Sequence, residues 1–280
     1  MLNSQVADYP GQDWSGMIES VRECGLPVTE PPPATSAGRS PGAAIELHDV
    51  VGRASAAGTA DTGVAGVSLQ VPPGQSLMLF SQPPGAATAL LDAIAGLRRA
   101  RSGEIRVDGV AVHRLGEREA SRYRAGRGLV SPRFPLLSSL TVIDNVLAAP
   151  SAGRLGGPDA ERAALLLEFA GVTRLTVPVE QLTAEERWRV MIARALVPSP
   201  RLMLAEDPAT EVDSRAADRL LDVLMDAHTR FGFTLVLAAE RLAAAVRCER
   251  RVSLVNGAVA EDEITGDDDG WTRGRVDRIG

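Results

Sequence analysis

From Ala44 onward, apolar and polar residues follow one another in short, regular runs. "AIELHDV" (44–50) and "GVSLQV" (66–71) alternate with period two, which predicts a pair of half-buried strands. "PPGQ" (72–75) is a turn into "SLMLF" (76–80), an unbroken apolar run of the kind a strand buried on both faces shows. After "SQPPG" the period becomes helical, through Leu90, Leu91, Ile94 and Leu97. "SGEIRVDGVAV" (102–112) predicts two short strands joined at Asp108-Gly109, a dipeptide suited to a two-residue hairpin turn. Much of 117–197 has helical spacing, interrupted at Pro132, Pro135, Pro150 and Pro158. "RLMLAED" (201–207) and "FTLVLAAE" (233–240) are buried strands on either side of an amphipathic helix, and "RRVSLVNGAVAEDE" closes as a hairpin on Asn256-Gly257. Buried strands alternating with helices predict an α/β domain with a mostly parallel sheet, spanning residues 44–262.

The two ends differ from this core. Residues 1–43 contain the Pro/Ser/Ala stretch "TEPPPATSAGRSPGA", which cannot bury enough apolar surface to fold alone. Before it, Trp14, Met17, Ile18 and Val21 fall at helical spacing. That short helix is left open between docking on its own domain, fraying in solution and binding a partner. Residues 263–280 form an acidic segment expected to be solvated and disordered.

Composition narrows the function classes. A formal net charge of −6 argues against a general nucleic-acid binder. No apolar run reaches the roughly 18 residues of a membrane span, and the first residues lack a secretory pattern, so a cytoplasmic protein is expected. In that compartment Cys24 and Cys248 are read as reduced thiols. His48, His113 and His228 are read as surface or packing residues. All 30 basic residues are arginine, so no side chain here can act as the lysine of a phosphate-binding loop.

The sequential motifs "LMLFSQPPGAATALLDAIAGL", "RSGEIRVDGVAV", "GRGLVSPRFPLLSSLTVIDNV", "QLTAEERWRVMIARALVPSPRLMLAEDPATEVD" and "TLVLAAE" resemble an ABC transporter ATPase domain over roughly 44–260. "YRAGRGLVSPRFPLLSSLTVIDNV" and "LAEDPATEVD" look closest to its lipoprotein-release, macrolide-export and cell-division subgroup. The resemblance implies a P-loop NTPase-like core, an antiparallel β subdomain and a helical subdomain over about 129–190.

It also assigns site positions, and most of them carry altered residues. The phosphate loop G-x-x-x-x-G-K-[ST] falls on Ser81 to Thr88, with Gly85 and Ala86 before Ala87 in the lysine position and Thr88 retained as the metal-side hydroxyl. Pro83 and Pro84 have no N–H to donate. Charge-assisted hydrogen bonds are worth roughly 1.5–3 kcal/mol each, so losing the lysine and one or two backbone donors weakens triphosphate binding by several powers of ten. Glu206-Asp207 replaces the metal-orienting Asp and the catalytic Glu in swapped order. A displacement of about 1 Å in such groups can cost about 10²-fold in rate. Pro132 stands where the family has a metal-sensing Gln, and Glu240 where it has the switch His. The signature loop reads Thr183-Ala184-Glu185, in which Thr183 can donate, Ala184 and Glu185 crowd the approach that glycine permits, and Glu185 is expected to place a carboxylate facing phosphate. "VVGRASAAGTAD" lacks the aromatic that stacks on adenine.

Three functions follow from the resemblance. The first is a pseudo-ATPase that docks on a membrane permease or an active ABC ATPase, dimerises with itself or a paralogue, and lies peripherally on the inner face of the cell membrane. No cofactor is expected in that case beyond weak Mg-ATP. The second is a weakly active ATPase using Thr88, Glu206 and Asp207, with Thr88 and Glu206 as metal ligands. The third is a free-standing interaction protein with residues 1–43 as its binding arm.

Overall fold

The computed structural model of the chain describes residues 42–52, 63–149, 160–207, 211–239, 246–266 and 270–273. Two sheets organise it. The first is antiparallel, in the order β2-β1-β4-β5, from β1 (Ile45–Gly52), β2 (Val64–Val71), β4 (Ser102–Val107) and β5 (Val110–Ala111). The second runs β11-β10-β9-β3-β8-β7-β6, from β3 (Ser76–Gln82), β6 (Gly128–Val130), β7 (Leu202–Glu206), β8 (Thr234–Ala238), β9 (Arg250–Val255), β10 (Ala258–Gly266) and β11 (Gly270–Arg273). Its β9-β3-β8-β7-β6 portion is parallel, and β9-β10-β11 is an antiparallel meander.

The apolar runs read as doubly buried strands divide their side chains between two cores, because successive residues of a strand point to opposite faces. Met78, Met203, Ala205, Leu235 and Leu237 face one core, with helices α3 (Val142–Leu147), α4 (Ala160–Phe169), α5 (Ala184–Leu196) and α6 (Ser214–Phe231). Leu77, Leu79, Leu202, Leu204, Val236 and Ala238 face the other, with the antiparallel sheet and α1 (Ala86–Ile94). Every residue of α1 except Thr88 is buried, as a helix between two sheets requires. Helix α2 (Glu117–Ala125) lies outside these layers and anchors to α1 through Tyr123, whose hydroxyl donates to the Ile94 carbonyl at 2.8 Å.

Both expected hairpins form. Asp108 and Gly109 have φ of 50° and 76°, and Asn256 and Gly257 have 51° and 82°, the paired left-handed residues of a type I′ turn. Two expectations are corrected. β6 lies inside the stretch read as helical, and it pairs with β7, so a strand divides α2 (Glu117–Ala125) from the helices after Val130. Residues 263–266 complete β10 and 270–273 form β11, so the start of the acidic segment is paired sheet; Glu263 is buried against Arg251. The amphipathic stretch at 14–21, Cys24 and the linker lie outside the described residues. Cys248 is buried, and burial pushes its pKa up to about 12. Of the histidines, His48 is exposed, His113 sits against β4, and His228 bonds the Phe233 carbonyl at 2.8 Å.

Candidate functional site

The carboxyl ends of β3, β6 and β7 meet beside the first turns of α1. This is where parallel α/β sheets place their sites. Ser81 and Gln82 close β3, Pro83 and Pro84 form the turn, and Gly85 takes φ 115°, a conformation that requires glycine. Helix α1 starts at Ala86, which is buried like Ala87. The Ala87 N–H donates to the buried Ser81 Oγ at 3.2 Å. One amide of the helix start is therefore satisfied within the loop, while Thr88 stands half-buried on the first turn.

Asp92 follows Thr88 by one helical turn on the same face, and its side chain is 1% exposed. Opposite it, Glu206 ends β7 with a side chain 15% exposed. Arg133, from the loop after β6, enters between the two carboxylates. Its Nη1 donates to Asp92 Oδ2 at 2.9 Å, and Nη2 lies 2.7 Å from Asp92 Oδ1. Nε donates to Glu206 Oε1 at 2.9 Å, and Nη2 also reaches that oxygen. Burial works against the Arg133 charge; the hydrogen bond to Asp92 and the charges of Glu206 and Asp92 outweigh it, so the guanidinium pKa is raised above its ordinary value.

Pro132 holds the position before this arginine, and the buried Ser131 accepts from the Arg133 N–H at 3.2 Å. The rest of the loop is braced twice. Asn145 of α3 accepts from the Leu137 N–H at 2.6 Å and donates to the Leu137 carbonyl at 3.0 Å. Arg194 of α5 donates to the Pro135 carbonyl at 3.0 Å and to the Phe134 carbonyl. Asp207 is buried, and its N–H pairs with the Ala238 carbonyl at 2.9 Å. Glu240 and most of the segment lacking an aromatic, 53–62, lie outside the described residues.

The signature loop is folded onto its own chain. Thr183 caps α5 in a reciprocal capping box: its Oγ1 accepts from the Glu186 N–H at 3.2 Å, and its N–H donates to Glu186 Oε2 at 2.8 Å. The hydroxyl expected to be a free donor gives its own proton to Glu186 Oε2 at 3.0 Å. Ala184 begins the helix. Glu185, expected to face phosphate, is turned to Arg189 Nη2 at 2.9 Å and to Arg219 Nε of α6 at 3.0 Å.

The Arg219 hydrogen bond, against an opposing effect of burial and with help from Arg189, lowers the Glu185 pKa from 4.5 to about 2. A depressed folded-state pKa contributes stability in full above the unfolded value, and that stability is lost as pH falls through the folded one. The unfolding midpoint is thus expected to drop between pH 4.5 and about 2, and Glu185→Gln should flatten that part of the profile. Equal acid sensitivity in both proteins would show that the cluster contributes nothing.

The family described as "ABC transporter" matches residues 64–210, over half the chain. The chain belongs to the ABC transporter ATP-binding family. It is 32% identical over 202 residues to the uncharacterized ABC transporter ATP-binding protein YbbA of Escherichia coli K12, covering 71% of this chain and 89% of that one. It is also 32% identical to the lipoprotein-releasing system ATP-binding protein LolD 1 of Rhodopirellula baltica, covering 69% of this chain and 86% of the relative. The ATP-binding cassette MJ0796, solved as a dimer in a post-hydrolysis state with ADP and Pi, superposes with a TM-score of 0.68 at 25% identity; the match covers 79% of this chain and 98% of that one.

Within this ABC domain, sequence reasoning placed Ser81 to Thr88, Pro132 and Glu206-Asp207 around one site, and the fold brings those segments together. It missed Asp92 and Arg133, which are 41 residues apart, with Arg133 73 residues from Glu206; no local pattern announces such a contact. It also missed the Thr183-x-x-Glu186 capping box, although the spacing alone is its signal.

Proposed function

We propose that this chain is a pseudo-ATPase, an ABC ATP-binding-domain-like subunit that scaffolds or regulates a membrane permease or an active ABC ATPase without turning over nucleotide itself. The observation that carries this reading is the pairing of Glu206, the acidic residue at the metal-orienting position, with the guanidinium of Arg133. The residues present do not fit Mg-ATP. A divalent ion at Glu206 would have to displace a bound cation, and a triphosphate would meet two prolines, no lysine and a helix amide already given to Ser81. The signature loop is likewise tied into its own chain, so the partner site of a dimer gains little from Thr183, Ala184 or Glu185. The folded framework supports a protein kept for its shape.

Such a subunit would act at the inner face of the cell membrane through its partners, since among the described residues no helix is long and apolar enough to cross a bilayer. The loop and helices after Val130 would carry the docking surface. Residues 1–43 would be an appendage to the domain that begins at 44.

Calorimetry with Mg-ATP, paired with an ATPase assay on the same sample, tests the reading. No binding at millimolar nucleotide and no turnover are expected. Ala87→Lys alone should leave turnover at background, because the prolines, Pro132, Glu206-Asp207 and the signature loop remain altered and such groups act as a unit. Micromolar binding with turnover would establish the weak ATPase using Thr88, Glu206 and Asp207 instead. A protein that neither binds nucleotide nor co-purifies with a membrane protein would point to the free-standing interaction role.

A further inference from the structure

We propose that the Arg133 guanidinium is a tethered counter-ion that fills, and so closes to divalent cations, a site whose ligands are the carboxylates of Asp92 and Glu206. The proposal rests on the reading of this site as one not built for Mg-nucleotide, and deepens it by naming what holds the cation's place. Three observations support it. The anions lie deeper than the cation between them: the Asp92 and Glu206 side chains are 1% and 15% exposed, against 34% for Arg133. A single nitrogen, Nη2, touches an oxygen of each carboxylate, so one positive centre answers two acids drawn from α1 and β7. Asp92 is buried, and both its oxygens face the one guanidinium, Oδ2 at 2.9 Å from Nη1 and Oδ1 at 2.7 Å from Nη2.

Arg98 is no substitute, since its Nε stands 3.7 Å from Asp92 Oδ2 on a side chain 42% exposed. Without Arg133, two acids would share the space, and a hard divalent cation with oxygen ligands is what such a pair takes. With it, an entering ion must break charge-assisted hydrogen bonds to a group that cannot diffuse away.

The test uses the full chain without nucleotide, Mn²⁺ as the probe, and two variants: Arg133→Gln, and Arg133→Gln combined with Asp92→Asn. Mn²⁺ binding is followed by electron paramagnetic resonance and stability by thermal unfolding. The parent protein is expected to bind no Mn²⁺ at millimolar concentration, with an unchanged Tm. Arg133→Gln should have a lower Tm that Mn²⁺ raises, and should bind the ion at least about tenfold more tightly than the parent, a stabilisation that follows from binding to the folded state alone. The double variant should recover Tm without metal and lose the Mn²⁺ response.

A folded Arg133→Gln that binds Mn²⁺ no better than the parent overturns the proposal, and so does a parent that binds equally well. If Arg133→Gln does not fold, a folded double variant still supports the counter-charge role, and an unfolded one overturns it. ATP turnover by the parent would instead overturn the pseudo-ATPase reading, so the two failures are distinguishable.

Discussion

Trp188→Ala is expected to cost about 3–5 kcal/mol of folding stability, the usual range for deleting a large buried aromatic. Trp188 is 1% exposed, on the α5 face that joins the helical core. Its indole N–H donates to Glu211 Oε2 at 3.0 Å, which ties the signature helix to the segment leading into α6. That segment ends at Asp213, which caps α6 by accepting from the Ala216 N–H at 2.9 Å. The truncation therefore leaves a cavity and frees the connection between β7 and α6. Trp188→Phe shifts the balance of the two effects. It keeps an aromatic ring in the core, leaves a smaller cavity and removes the hydrogen bond; because Glu211 is exposed and regains water, the loss should be smaller, about 1–3 kcal/mol. Urea unfolding of both variants measures the difference, and a Trp188→Ala protein within about 1 kcal/mol of the parent would mean the helical core collapses around the gap.

The sheet strands were legible because their signal is local. An unbroken apolar run such as "SLMLF" between turn residues says that both faces are covered, and the alternation of Leu77, Met78 and Leu79 between two cores is the structural outcome. The hairpins were legible because Asp108-Gly109 and Asn256-Gly257 tolerate positive φ where other dipeptides resist it. β6 escaped because three residues are too few to establish a period, and its strand character comes from pairing with β7. β11 escaped for a related reason: "DDDG" reads as solvated, and only its pairing with β10 makes the following residues a strand.

At the site the division falls elsewhere. Motif positions identify which segments converge, since the loop, the strand ends and the signature helix each carry sequence marks. They do not identify what the altered residues do once together. Pro132 looked like a deletion of function, while its neighbour Arg133 supplies the charge that reorganises the acids, and Glu185 looked like a repulsive intruder until α6 placed Arg219 beside it. Both are long-range electrostatic facts, set by topology rather than by spacing along the chain.

Arg194→Met is expected to cost about 3 kcal/mol, and its effect should be felt at the site rather than only at the substitution. Arg194 stands on α5, and burial lowers its pKa, so the protein meets a desolvation cost to keep this charge where it is. What offsets that cost is donation to the Phe134 and Pro135 carbonyls, each charge-assisted bond being worth roughly 1.5–3 kcal/mol. Methionine fills much of the space and donates nothing, leaving two loop carbonyls without their donor. Because Arg133 is carried on the same loop, loosening 134–135 weakens its hold on Asp92 and Glu206. Amide hydrogen exchange reads this directly: faster exchange is expected at 131–137 and in the first turns of α1, with little change in β9 and β10. Arg194→Lys, which keeps the charge and one donor direction, should fall between the two proteins. Unchanged exchange at 131–137 in a folded Arg194→Met protein would show that Asn145 alone holds the loop, and that Arg133 does not depend on α5 for its place.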